Sequence, residues 1–152
     1  MRKAIATLSA VILVGLAVEA WAGPIEEVAQ IAGPRNQTFE EGNIEALITA
    51  FADSAVLTSS LSGFRIEGKE AIRGYFAALF QAYPKRRLFT RQPMARAYND
   101  DLVVHNAYSA LYLTDQNGQT MQLTLRSTVV WAKIGGRWQI VDQHVSRMPV
   151  MH

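Results

Sequence analysis

The sequence contains no cysteine among its 152 residues. This absence excludes disulfide bonds, thiol nucleophiles, iron–sulfur clusters and cysteine-based zinc sites. Only three histidines are present, and neither an H-x-x-x-H spacing nor a matching carboxylate pattern accompanies them. We therefore expect no metal and no cofactor. The fold must be stabilised by its apolar core alone, which a hydrophobic content of 49% makes feasible.

The first 22 residues have the pattern of a cleavable signal peptide. Two basic residues precede an uncharged apolar run over 4–18, and Ala20-Trp21-Ala22 forms a small-x-small cleavage site. A membrane anchor is the alternative, but it needs roughly 18 apolar residues, and Glu19 ends this run. The pattern predicts a periplasmic or secreted bacterial protein. Residues 23–152 then form a single mature domain, with no membrane span after cleavage.

An excess of either charge is also lacking. The chain has 15 Lys and Arg against 13 Asp and Glu, and cleavage removes Arg2, Lys3 and Glu19, which leaves 13 against 12 and a net charge of +1. Nucleic acids and anionic membranes select strongly basic surfaces. The near-neutral mature chain therefore gives no reason to expect a nucleic-acid or membrane partner.

Helical patterns dominate the first half of the mature chain. Pro24 opens a helix that Gly33-Pro34 should break and Gly42 should end, because Gly favours the left-handed cap. A second helix is predicted from Asn43 through Phe51, and a third over 69–83, where apolar residues recur at i, i+3 and i+4.

The second half alternates as strands do. A short hairpin over 55–59 and 64–66 precedes the third helix, and long strands are predicted over 88–98, 102–113, 121–133 and 137–147. Tight turns join the last three strands into a meander. The sequence thus predicts an α+β fold, with about three N-terminal helices packed on a curved antiparallel sheet.

The C-terminal stretch carries a motif with many fixed positions. Between Trp131 and Pro149 it fits W-x4-G-x-W-Q-x-V-x-x-H-x-S-x-x-P without a mismatch. Upstream, the segments over 41–55 and 64–76 are similar to the entry helices and the strand-to-helix segment of the same family. The chain resembles the SnoaL-like and ketosteroid-isomerase-like cone superfamily, which has the nuclear transport factor 2 fold. It is most similar to the branch of the calcium/calmodulin-dependent kinase association domains.

This resemblance implies a pocket between the helices and the concave sheet face, and a homodimer formed through the convex face. Functions vary widely across the family, so the fold cannot settle the activity. In the isomerase branch the proton-abstracting Asp would fall at Ser59 and the oxyanion-binding Tyr near Arg35, so both groups are absent. A serine hydroxyl without an adjacent base cannot remove a carbon-bound proton at neutral pH.

The resemblance also implies which residues line the pocket. The association domains hold anions with arginines, whose positions here fall at uncharged residues, so a mostly apolar ligand is expected. Large aromatic residues and the alternation of the last strand supply the remaining candidates. The predicted ligand-binding residues are Phe76, Phe80, Tyr108, Ser109, Val129, Trp131, Gln143 and Val145.

His144 and Asp142 are the candidate catalytic residues. They lie two positions apart, so they share a face of the last strand and could orient a general base. Strict alternation places them with Trp138 and Ile140, opposite Gln143 and Val145. On the convex face His144 would instead tie together strands or a dimer interface, and this structural interpretation is favoured.

The sequence therefore predicts an exported, non-catalytic module that dimerises through its sheet and holds a small, mostly apolar ligand. One alternative is a SnoaL-type enzyme, an isomerase, cyclase or hydrolyase, that uses His144. Another is a structural assembly domain with a vestigial pocket.

Overall fold

The computed structural model describes residues 23–149, so the predicted signal peptide over 1–22 lies outside the described residues. Along the chain the helices are α1 (Pro24–Ala32), α2 (Arg35–Glu41), α3 (Ile44–Ile48) and α4 (Lys69–Ala82). The strands are β1 (Phe51–Ser59), β2 (Ile66–Glu67), β3 (Lys85–Asn99), β4 (Leu102–Thr114), β5 (Thr120–Ile134) and β6 (Arg137–Arg147). The predicted α+β class is confirmed.

The predicted break between the first two helices is present. The backbone N–H of Gly33 caps α1 by donating to Ala29, and Pro34 begins the next turn as the N-cap of α2. Gly42 then ends α2 with φ of +75°, in the left-handed region where a side chain is disfavoured.

The second predicted helix is shorter than expected. Asn43 caps α3 by accepting a hydrogen bond from the Ala46 N–H, but the helix ends at Ile48. Phe51, assigned to the helix from its spacing, instead begins β1 and pairs with Ile140. Pairing with β6 buries Phe51 completely. The stabilisation from this burial outweighs the local preference for helix.

The six strands form one sheet in the order β2-β1-β6-β5-β4-β3. The pairs from β3 to β6 are antiparallel, as predicted, with bulges that shift the register between β3 and β4 and between β5 and β6. β1, however, joins the free edge of β6 in parallel. The sheet is therefore mixed, which corrects the fully antiparallel sheet expected from sequence. Hairpin turns reveal only pairs adjacent in the chain, and β1 and β6 are far apart in it.

The core lies between the inner face of this sheet and the helices. Trp131, Phe51, Ile48, Leu57 and Ile72 are its largest fully buried side chains. In α4 the buried residues recur at i and i+4, which gives that helix the apolar stripe predicted for it.

Two polar anchors fasten the helices to the sheet. A Glu27 carboxylate oxygen in α1 accepts hydrogen bonds from Lys133 Nζ at 2.7 Å and Trp138 Nε1 at 2.6 Å. Arg86, at the start of β3, donates to the backbone carbonyls of Phe39, Glu40 and Tyr83. It thereby adds a donor to carbonyls at the ends of α2 and α4, of which the Phe39 carbonyl also accepts the Gly42 N–H. Within residues 23–149, none of the helices is long and apolar enough to cross a membrane.

Candidate ligand-binding cavity

A cavity of about 170 Å³ lies between the helices and the inner face of the sheet. Most of its wall is aliphatic or aromatic, and no Asp, Glu or Lys lies among its lining residues. The polar lining residues are Arg35, Asn36, Ser59, Ser60, Tyr75, Thr90, His105, Ser109, Ser127 and Gln143. The interior is therefore apolar, with a few neutral polar groups and one arginine.

Strand register places the floor residues of the cavity. One row across the sheet runs from His105 through Val129 and Gln143 to Leu57. Because side chains on one sheet face repeat every second residue, all four project toward the helices. The next row, which includes Val145 and Ser59, continues the floor.

A bulge in β6 decides which face His144 and Asp142 occupy. Trp131 pairs with Ile140, whereas the preceding Val130 pairs with Asp142, so Val141 is an extra residue on β6. A bulge of this kind shifts the alternation by one. Trp138 and Ile140 therefore lie on the inner face, which corrects their predicted grouping with the candidate catalytic pair.

His144 and Asp142 lie on the outer face of the sheet, away from the cavity. Both are exposed, and His144 borders a shallow outer depression next to Arg126. Arg126 Nε donates to Ser146 Oγ at 3.1 Å. This location removes the geometric basis for catalysis by His144 in the cavity, and it fits the structural interpretation.

Six of the eight predicted ligand-binding residues line the cavity: Phe76, Ser109, Val129, Trp131, Gln143 and Val145. Their role in binding stays a prediction. Phe80 is buried, but it packs behind the cavity wall against Phe39 and under the Arg86 guanidinium. Tyr108 lies on the outer face and is 44% exposed, because its parity on β4 is opposite to that of Ser109.

Arg35 is the main feature of the site that sequence reasoning missed. It begins α2, one turn before the buried Phe39, so helical periodicity directs both side chains toward the sheet. Its guanidinium lies 5.0 Å from the Phe51 ring centroid and 5.9 Å from that of Trp131. The i, i+4 relation to Phe39 is the signal in the sequence that places Arg35 on the inner side of the helix, whereas the resemblance marks the position only by the absence of an oxyanion-binding Tyr.

The Arg35 guanidinium has few strong partners. Nη1 donates to the Leu47 carbonyl and Nη2 to Gln143 Oε1, each at 3.5 Å, which is longer than the 2.7–3.2 Å usual for such bonds. No carboxylate within residues 23–149 forms a salt bridge with it. Burial of the charge lowers the pKa of Arg35 to about 10. At neutral pH the cavity therefore contains a charged group that the described chain does not neutralise.

A second donor in the cavity wall is also unsatisfied. The indole Nε1 of Trp131 is buried and has no hydrogen-bond acceptor among the described residues. Buried indole N–H groups usually find a partner. The Trp131 ring, which bears this donor, lies 5.9 Å from the Arg35 guanidinium.

Ser59 and Tyr75 form a hydroxyl pair that also lines the cavity. Their oxygen atoms lie 2.9 Å apart, and Ser59 Oγ also accepts the backbone N–H of Leu61 at 3.2 Å. Burial raises the pKa of Tyr75, and its hydrogen bond with Ser59 acts in the opposite direction. Both groups stay neutral, so they can orient a ligand oxygen but cannot abstract a carbon-bound proton.

His105 is the other missed polar residue. Its side chain lines the cavity from β4, and burial lowers its pKa from the ordinary value of 6.5. Its setting between Val104 and Asn106 gave no signal of this, because the face it occupies depends on register. Within residues 23–149, no three His, Asp or Glu side chains cluster in a way that could hold a metal ion.

Comparison with known proteins finds a family model that matches most of the described chain. Residues 28–151 match the family model described as a SnoaL-like domain. A solved structure of a candidate calcium/calmodulin dependent protein kinase II association domain from Xanthomonas campestris is 28% identical. The match covers 86% of this chain and 94% of that chain, with a TM-score of 0.74. No curated protein matches the chain.

Two more distant structures share the fold. A nuclear transport factor 2-like superfamily protein from Salmonella enterica serovar Typhimurium has a TM-score of 0.76 at 20% identity, over 85% of this chain and 94% of that chain. A candidate scytalone dehydratase from Novosphingobium aromaticivorans has a TM-score of 0.74 at 8% identity, over 82% and 84%. At these identities the likeness concerns the fold, and the chemistry has to be argued from the cavity itself.

Proposed function

The chain belongs to the SnoaL-like domain family, and on that premise we propose that it is an exported, non-catalytic module that binds a small carboxylate with an apolar body. The observation that carries this proposal is the Arg35 guanidinium, which lies half-buried in the wall of an apolar cavity and forms no salt bridge with any described carboxylate. Buried charges in proteins are normally paired. A ligand carboxylate would supply the missing partner.

The geometry favours a carboxylate over a neutral ligand. Arginine presents a planar fork of donors that matches the two oxygens of a carboxylate. The expectation from sequence was a mostly apolar ligand, because three sheet positions that carry arginines in related association domains are neutral here. Arg35 supplies a cation from helix α2 instead, so the proposed ligand has an anionic end.

The wall and the volume limit the rest of the ligand. Phe39, Leu57, Phe76, Leu125 and Val129 present apolar surface, which favours an aromatic or aliphatic body. At about 170 Å³ the cavity is smaller than the roughly 300–1,000 Å³ typical of pockets for drug-sized ligands. A single-ring or short-chain acid therefore fits best.

Calorimetric titration of the mature chain tests this proposal. Benzoate and short fatty acids are compared with benzyl alcohol and the matching alkanols, which keep the apolar body and lose the charge. We expect the acids to bind and the alcohols to bind much more weakly. Arg35→Met should weaken acid binding about 10- to 100-fold, the loss expected for charge-assisted hydrogen bonds. Arg35→Lys should lie between the two, since it keeps the charge without the fork.

Arg126→Met is the matched control, because Arg126 is an exposed arginine on the outer face of the sheet. It should leave acid binding unchanged. Equal binding of acids and alcohols, or full acid affinity in Arg35→Met, would overturn the carboxylate assignment. If neither class binds, the alternative of a structural assembly domain gains.

We further propose that the outer sheet face forms a homodimer. It exposes Phe89, Met94 and Tyr108, of which Met94 is 52% exposed, and apolar exposure of this kind is typical of interaction surfaces. Sedimentation should give a dimer that Met94→Glu dissociates. Phe64→Glu, an exposed aromatic position in the loop after β1, should not. A wild-type monomer at high micromolar concentration would refute the dimer.

Export remains part of the proposal and rests on the N-terminal pattern alone. N-terminal sequencing of protein recovered from the periplasm or medium of a bacterial host should begin at Gly23. An intact Met1 on protein retained in the cytoplasm would contradict export.

A further inference from the structure

His105 faces the same cavity as Arg35 from a different wall. Arg35 projects from α2 toward Gln143 on β6, whereas His105 projects from β4. In the register of the sheet, Val129 separates His105 from Gln143. Two strand spacings place their Cα atoms about 10 Å apart. A small ligand held by Arg35 can therefore reach the imidazole with its other end.

The groups around His105 keep its imidazole neutral in the empty cavity. Its strand neighbours are Ala95 on β3 and Val129 on β5, and both are apolar. From the helices the cavity receives Arg35, which is cationic, and Tyr75, which is neutral. His105 forms no side-chain hydrogen bond with another described residue. Burial therefore opposes a positive charge on the imidazole.

Helix α1 does not change this balance. It packs against β4 and contributes Ala32 to the cavity lining. Its carboxylate Glu27 is bonded to Lys133 and Trp138 outside the lining. No acidic side chain of the described chain therefore faces the imidazole from within the cavity, and only a ligand can supply the negative charge that would stabilise its protonated form.

We propose that His105 is a second binding residue of the site, and that it takes up a proton when the cavity binds a small dicarboxylic acid. One carboxylate pairs with the Arg35 guanidinium. The second carboxylate then accepts a hydrogen bond from protonated His105. The bound state holds two cations against two anions, whereas a neutral imidazole would leave one carboxylate unpaired in an apolar cavity.

This inference rests on the proposed function, because it needs Arg35 to hold the first carboxylate. The direction of the pH dependence follows from linkage. Burial lowers the pKa of His105 in the free protein, and a bound carboxylate beside the imidazole raises it. Dicarboxylate affinity should therefore rise as the pH falls between these two pKa values, by up to tenfold per pH unit, and level off below the lower one.

The test is calorimetric titration of the mature chain with phthalate, isophthalate, terephthalate and glutarate, and with benzoate as the single-carboxylate reference. Measurements at pH 6.5 and 7.5, in two buffers of different ionisation enthalpy, give the number of protons taken up. We expect uptake approaching one proton for the dicarboxylate that fits best, and much less for benzoate. The His105 ring signals in NMR spectra should titrate at higher pH in the complex than in the free protein.

His105→Gln keeps a polar side chain that cannot be protonated, so it should abolish proton uptake and flatten the pH profile while benzoate binding persists. His144→Gln is the matched control, since His144 is exposed on the outer face. It should leave the proton uptake and the pH profile unchanged. Dicarboxylate binding that depends on Arg35 but proceeds without proton uptake would overturn this inference alone. Uptake that persists in His105→Gln would do the same. Failure of both benzoate and the dicarboxylates to bind would overturn the proposed function together with it.

Discussion

Replacing Arg35 by Met should make the ligand-free protein more stable, although it removes the residue on which binding depends. Burial lowers the pKa of Arg35 from 12.5 to about 10. For a group that is charged at pH 7 in both states, this lowering corresponds to roughly 3 kcal/mol of unfavourable free energy in the folded protein. Because the pKa of a cation is lowered, this cost is present at all pH values below about 10.

Two favourable contacts of Arg35 reduce the expected gain. Its guanidinium lies over the rings of Phe51 and Trp131, and cation–π contacts stabilise by about 0.5–2 kcal/mol. Its two hydrogen bonds are long and contribute little. Met fills a similar apolar volume without the charge. The net gain is therefore about 1–2 kcal/mol, and the melting temperature should rise by roughly 3–10 °C for a domain of this size.

Urea unfolding and scanning calorimetry of the mature chain measure this difference. Arg86→Met is the matched control, since Arg86 is a buried arginine that donates to three backbone carbonyls. Its loss removes these three hydrogen bonds and should destabilise the protein by about 2–5 kcal/mol. If Arg35→Met instead destabilises by more than about 1 kcal/mol, Arg35 is a structural residue and the reasoning that makes it a ligand-binding group fails.

Two further predictions concern the anchors of the helices. Hydrogen bonds from Lys133 and Trp138 lower the pKa of Glu27 below 4.5, so its stabilising effect is complete above about pH 4.5 and is lost as the pH falls through the folded-state pKa. Glu27→Gln should therefore reduce the loss of stability between pH 5 and pH 2, as urea unfolding at each pH would show. Gly42→Ala should destabilise by at least about 1–2 kcal/mol in urea unfolding at pH 7, because Gly42 has φ of +75° and its Cβ would lie 2.6 Å from Arg86 Nη2.

Each of these substitutions has a neighbour that serves as a control. Glu26→Gln lies in the same helical turn as Glu27 and should leave the acid dependence of stability intact. Gly118→Ala has a similar positive φ but open space around it, so it should show the backbone cost alone. Equal effects at Gly42 and Gly118 would show that contact with Arg86 contributes nothing.

Much of the fold could be predicted because its signals are local. The Gly33-Pro34 break, the Gly42 cap and the apolar stripe of α4 depend on residues close in sequence. The parallel pairing of β1 with β6 could not be predicted in this way, because no turn joins them. For the same reason Phe51 was assigned to a helix, since its burial against Ile140 depends on that distant pairing.

The site was harder to predict than the fold because it depends on which face each side chain occupies. A single extra residue, Val141, shifts the alternation of β6 and separates Ile140 from His144. Without register, His105 on the inner face and His144 on the outer face could not be distinguished. The resemblance directed attention to sheet positions that bear arginines in related proteins, and so away from Arg35 on a helix.

The position of Arg35 on α2 also explains how a charge with no carboxylate partner among the described residues can be held in place. The helix is fixed near its start by Asn36 Nδ2, which donates to Thr90 Oγ1 on β3 at 2.8 Å. It is fixed at its end by Arg86, which bonds the Phe39 and Glu40 carbonyls. Because both ends are tied to β3, the helix cannot easily turn the guanidinium toward solvent. The free-energy cost of removing the guanidinium from water is therefore met during folding, before the ligand binds. A ligand carboxylate that pairs with Arg35 does not have to meet this cost again, so it binds more tightly.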